Sequence, residues 1–93
     1  MNAITVKNLE TLIGHLNRMT NSPETSYTRS KDGPLQANIG NFHLDSSNGT
    51  YGLQRMMNEG GGVDAIFYGL NKRELFQLIH AYIKGFELAK ANR

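Results

Sequence analysis

The last quarter of the chain, "NKRELFQLIHAYIKGFELAKANR", constrains the fold more than any other stretch. Leu75, Leu78, Ile79, Tyr82, Phe86 and Ala89 return every three or four residues, while Arg73, Gln77, His80, Lys84 and Glu87 fill the opposite side. This is the period of an α-helix with one apolar stripe, which is stable only when another element covers it. Asn71 offers an acceptor to the first free amides, Glu74 stands three residues on, and Leu70 is placed to meet Leu75 across the cap. The covering surface must come from the rest of a 93-residue chain. That length suits one domain, near the lower size at which a single core closes unaided.

A second helical pattern runs from Val6 to Met19 through Leu9, Leu12, Ile13 and Leu16, with Thr5 as its cap and Ile4 facing Leu9 as a staple. "TNSP" ends it, since proline is not carried in a helix interior. Between the helices the period changes to two. "NFHLD" puts Phe42 and Leu44 on one face, and "SSNG" is a hairpin signal because Asn-Gly takes up positive φ angles. In "TYGLQRMMN", Tyr51, Leu53, Arg55 and Met57 share one face, Gln54 and Met56 the other. "VDAIFYGL" is apolar on both: Val63, Ala65 and Phe67 against Ile66 and Tyr68.

Residues 22–38 are polar and rich in turn formers; as a wholly irregular loop they would be unusually long for so small a domain, so they form either a mobile or functional loop or a short strand. They predict an imperfect edge strand around Tyr27 to Arg29 with "KDGP" as its turn. The expected fold is therefore α+β: helix, three- or four-stranded antiparallel meander, helix, with both helices on one face of the sheet. Because the third strand is apolar on both sides, the open face is expected to carry some of Met56, Ile66 and Tyr68 as an interaction surface, or else Val63, Phe67 and their neighbours. Residues 22–38 or another subunit would cover it, which predicts a homodimer or a larger homo-oligomer.

Three consecutive glycines, Gly60 to Gly62, raise the question of a phosphate loop. Such a loop needs amides converging on the anion and a helix directly after it. Here a strand follows, Val63-Asp64 stands where a Walker loop has Lys-Ser/Thr, and Glu59 and Asp64 repel an anion. The glycines predict a hairpin turn.

No cysteine is present, which removes disulfides and thiolate metal sites and permits a reducing compartment. No apolar run is long enough to span a bilayer, and "MNAITVKNLE" lacks a signal-peptide pattern, so a cytoplasmic protein without membrane contact is expected. His15, His43 and His80 are far apart, and His43 with Asp45 makes a poor zinc site. Asp45, Glu59 and Asp64 have room to meet at one end of the sheet, yet no nucleophile accompanies them; neither an enzyme nor a cofactor is expected. The net charge of +2 is concentrated in residues 71–93, with five Lys/Arg against two acids. Arg29, Lys31, Lys72, Arg73, Lys84, Lys90 and Arg93 make a basic surface of loop and helix the alternative, a nucleic-acid contact. The sheet segment, one cation against three acids, disfavours base stacking.

From Asn38 to Phe86, "NIGNFHLDSSNGTYGLQRMMNEGGGVDAIF" and "KRELFQLIHAYIKGFE" together resemble a group of short open reading frames of tailed bacteriophages and prophages. The shared features are a hydrophobic-Asp strand end, a Tyr-Gly step, Arg-x-x-Asn-x-Gly-Gly, and Arg-Glu-Leu opening a helix. Where the group commonly has Gly-Gly before the aromatic, this chain has Asn48-Gly49-Thr50-Tyr51, still a turn. The resemblance brings no activity and no site residues. It implies a small accessory protein in a bacterial host's cytoplasm, acting by contact with a host protein.

Overall fold

The computed structural model describes residues 3–29 and 31–91. The order is α1 (Val6–Met19), β1 (Tyr27–Arg29), β2 (Leu35–Ala37), β3 (Phe42–Ser47), β4 (Thr50–Met56), β5 (Val63–Leu70) and α2 (Lys72–Ala91). Both helices start on reciprocal caps. Asn8 N–H donates to Thr5 Oγ1 (3.1 Å) and Thr5 N–H to Asn8 Oδ1 (2.9 Å). Likewise Glu74 N–H donates to Asn71 Oδ1 (2.8 Å) and Asn71 N–H to Glu74 Oε1 (3.0 Å). Each pair satisfies two donors that the helix itself leaves free.

β3, β4 and β5 form an antiparallel meander in that order, and the core lies on one of its faces. Leu9, Ile13 and Leu16 of α1 and Leu75, Ile79 and Ile83 of α2 meet Phe42 and Leu53 there, so both helices share that face as expected. Leu78 does not join them and remains exposed. α2 packs against α1 as well as the sheet, which centres its buried arc on Leu75, Ile79 and Ile83 and turns Leu78 to the flank.

The β3–β4 turn is the Asn-Gly hairpin that the sequence signals, with positive φ at Asn48 (52°) and Gly49 (79°). Pairing of β4 with β5 is irregular. Tyr51 opposes Leu70, Leu53 opposes Phe67 and Gln54 opposes Ala65, so β5 carries an extra residue at each of two bulges. The bulge at Ile66 breaks strict alternation, and Ile66 and Phe67 both pack against the helical core. Ile66 is therefore not on the open face where the two-residue period puts it.

Tyr27–Arg29 is a strand, yet it does not extend the meander. It pairs with Leu35–Ala37 as a separate two-stranded hairpin. Two asparagines hold this segment down. Asn38 Nδ2 donates to Thr25 O and Thr28 Oγ1 (2.9 Å each). Buried Asn41 donates from Nδ2 to Pro23 O (2.8 Å) and accepts from Ser26 Oγ (2.9 Å). Gly40 N–H donates to Met56 O, and Met56 N–H to Asn41 O, tying the hairpin to the Met56–Val63 end of the sheet. Met56 and Ala37 are both buried at this end, outside the main core cluster.

Candidate functional site

The glycine loop is occupied by its own chain. Asn58 Oδ1 accepts from Gly60 N–H (3.0 Å) and Gly62 N–H (2.9 Å), and Asn58 O from Gly61 N–H (3.2 Å). The converging amides that an anion would need are thus spent on a side-chain carbonyl. Gly61 has φ +95°, and a Cβ there would lie 2.9 Å from Tyr27 Oη, so the glycine lets the β1–β2 hairpin rest against the loop.

The acids expected near one another are spread out. Asp45 opposes Gly52 in mid-sheet, Asp64 opposes Arg55 at the far end, and Glu59 lies in the glycine loop. His43 contacts Asn41 Oδ1 through Nδ1 (3.2 Å) and Gln54 Oε1 through Nε2 (3.0 Å). His80 stands edge-on to Phe76, with ring centroids 4.8 Å apart. Among the described residues no three His, Cys, Asp or Glu side chains gather as metal ligands.

The basic residues also divide. Arg29 and Lys31 lie on the β1–β2 hairpin, tied to the Met56–Val63 end. Lys72 opens α2 at the opposite, Tyr51–Leu70 end, with Nζ 5.9 Å from the Tyr51 ring centroid. Arg73 and Lys84 follow on the helix's solvent arc. Lys72 therefore stands apart from the loop cations, while Lys90, at the far end of α2, lies beside Met19, Thr20 and Asn21; Arg93 is outside the described residues.

Of Met56, Ile66 and Tyr68, only Tyr68 is presented to solvent, at 77% exposure against 1% for Met56. Met56 is withdrawn from the expected surface and Ile66 is half-buried, which leaves Tyr68. Met56 falls under the end covered by the hairpin, and the bulge turns Ile66 inward. The sheet's outer face carries the polar His43, Gln54 and Asp45 beside Ala65 and the exposed Val63 and Tyr68, a mixed set.

An exposed apolar surface does occur on α2. On the helical wheel Leu78, Ala81, Gly85 and Leu88 follow one another along the flank opposite Phe76, which itself faces α1 beside Leu12 and His15. All four are exposed, and no charged side chain falls among them between Glu74 and the helix end. Ala81, Gly85 and Ala89 border a shallow apolar groove with Tyr82 and Phe86 as its inner wall. Tyr82 is anchored by edge-on contacts to Phe67 (5.8 Å) and Phe42 (6.1 Å), so that wall is rigid. Gly85 is costly in mid-helix, by up to about 1 kcal/mol relative to alanine. Among the described residues nothing comes within 4 Å of where its Cβ would stand. Gly14 likewise meets only Arg18 of its own helix, so the two helical glycines do not mark a contact between α1 and α2. The signal for this flank was present in the sequence as the spacing Ala81, Gly85, Ala89, but the apolar stripe beside it masks it.

No helix among the described residues is long and apolar enough to cross a membrane. No protein-family model, curated protein or solved structure matches the chain.

Proposed function

We propose that the protein is a non-enzymatic interaction module that self-associates as a dimer, with the exposed flank of α2 as the contact. The supporting observation is the charge-free run of Leu78, Ala81, Gly85 and Leu88 around a glycine that the fold itself does not need. A glycine between alanines lets a second helix approach closely, and an uncharged surface meets its own copy without like-charge repulsion across a two-fold axis. The contact offers few large side chains, so the dimer is expected to be weak, with a dissociation constant on the order of 10–100 µM. In the setting implied by the sequence resemblance, this is a phage or prophage accessory protein in a bacterial cytoplasm, with a host protein as a further partner.

Gly85→Glu tests the reading. Its side chain has open space in the monomer, and glutamate is the better helix former, so the variant is expected to fold with equal or greater stability. In sedimentation equilibrium the wild-type mass should climb towards twice the chain mass as concentration rises, while Gly85→Glu stays at one. Equal behaviour of the two proteins would remove the flank as the contact.

A further inference from the structure

A second site lies at the opposite edge of the sheet, where α1 and β3 part to leave a cleft of about 320 Å³. One margin of this cleft is a strand edge. Asn17 Nδ2 donates to Phe42 O (2.9 Å) and Asn17 Oδ1 accepts from Phe42 N–H (2.8 Å), so both backbone groups of Phe42 point away from β4. Outward and inward residues alternate along an antiparallel ladder, so Leu44 and Ser46 also turn their N–H and C=O outward. Among the described residues no group takes these up. Asn17 occupies the pairing position at Phe42 as a backbone would, and so fixes where an added strand must begin.

The charge lining this cleft is acidic, with one cation, Arg18, beside it. His43 is engaged by Asn41 and Gln54, and the other ionisable side chains lining the cleft are the carboxylates of Glu10 and Glu24. Glu24 shares its charge with Arg18 at 3.1 Å, whereas Glu10 has no such partner among the described residues. On the α1 side Gly14 lines the cleft, with Arg18 Nη1 3.4 Å from where its Cβ would stand.

We propose that this cleft docks an extended segment of another protein bearing a basic side chain, added as a fourth strand beside β3. Main-chain bonds to Leu44 and Ser46 supply the pairing, and Glu10 selects for Lys or Arg. The proposal rests on reading the chain as an interaction module, but uses the edge of the sheet remote from the α2 flank.

The test is selection of displayed random peptides, about ten residues long, on the immobilised full chain. The selected peptides should alternate β-branched or aromatic residues with others and be enriched in Lys and Arg. A synthetic copy should slow solvent exchange of the Leu44 and Ser46 amides. Glu10→Lys, at an exposed helical position, should weaken its binding by about tenfold or more. Ser46→Pro, which removes an outward N–H at an edge position and breaks no ladder bond, should also weaken it. No enriched peptide, no enrichment of basic residues, unchanged affinity for Glu10→Lys, or protection at α2 instead of β3 would each overturn the proposal. Peptide binding that persists in Gly85→Glu, together with wild-type sedimentation as a monomer, would sink the dimer and leave this site standing.

Discussion

Gly52→Ala is expected to lower the unfolding free energy by about 3 kcal/mol, near the top of the range for an overpacked site. Gly52 is buried in β4 at the first of the two places where β5 slips register, between Tyr51 and Leu53. A Cβ built on it collides with the carbonyl oxygen of Phe67 and lies 3.1 Å from Tyr68 Cα. These are backbone atoms, held on either side by the Tyr51–Leu70 and Leu53–Phe67 pairs, so they move away only if β4 and β5 separate. The total stability of a domain this size is about 5–10 kcal/mol, and the variant should therefore show a large drop in urea midpoint. A loss under about 0.5 kcal/mol would show that β5 does not press on β4 here.

Asn17→Ala is the second large effect, expected at about 2–3 kcal/mol. The side chain is buried on α1 and serves both the N–H and the C=O of Phe42, groups that no other strand reaches. Removing it leaves two buried backbone groups unpaired, each worth about 1–3 kcal/mol, with water in the adjoining cleft offsetting part of the loss. Urea titration reads the stability, and amide exchange at Phe42 should accelerate more than at its neighbours. A variant as stable as wild type, with Phe42 exchange unchanged, would show that the edge of β3 does not depend on this residue.

What could be read from the sequence, and what could not, divides by the range of the interaction. Thr5, Asn71 and Glu74 are legible because a cap is made within four residues. Asn48-Gly49 and the Tyr27–Arg29 hairpin are legible because turn chemistry is local. Asn17 looks like a stray polar residue beside Leu16; its meaning depends on Phe42, twenty-five residues away. The inward turn of Ile66 depends on how β5 pairs with β4, and the burial of Met56 on a hairpin folding back over the sheet end. Both errors came from extending a two-residue period through a bulge and from treating the hairpin as part of the meander. The interaction surface proposed is as a result the flank of α2 rather than the sheet face. There the sequence had offered Leu78 as core, because a wheel does not reveal that α2 rests on α1 as well as on the sheet.

The central claim is that α2 presents its charge-free flank to a second copy. It is tested most directly by measuring how strongly an inert dissolved paramagnetic probe relaxes individual side chains as protein concentration is raised to about 1 mM, well above the expected dissociation constant. Leu78, Ala81 and Leu88 should become progressively shielded, while exposed Tyr68 on the other side of the sheet stays fully relaxed. Shielding at Tyr68 with none at Leu78, Ala81 and Leu88, or no change anywhere, would contradict it.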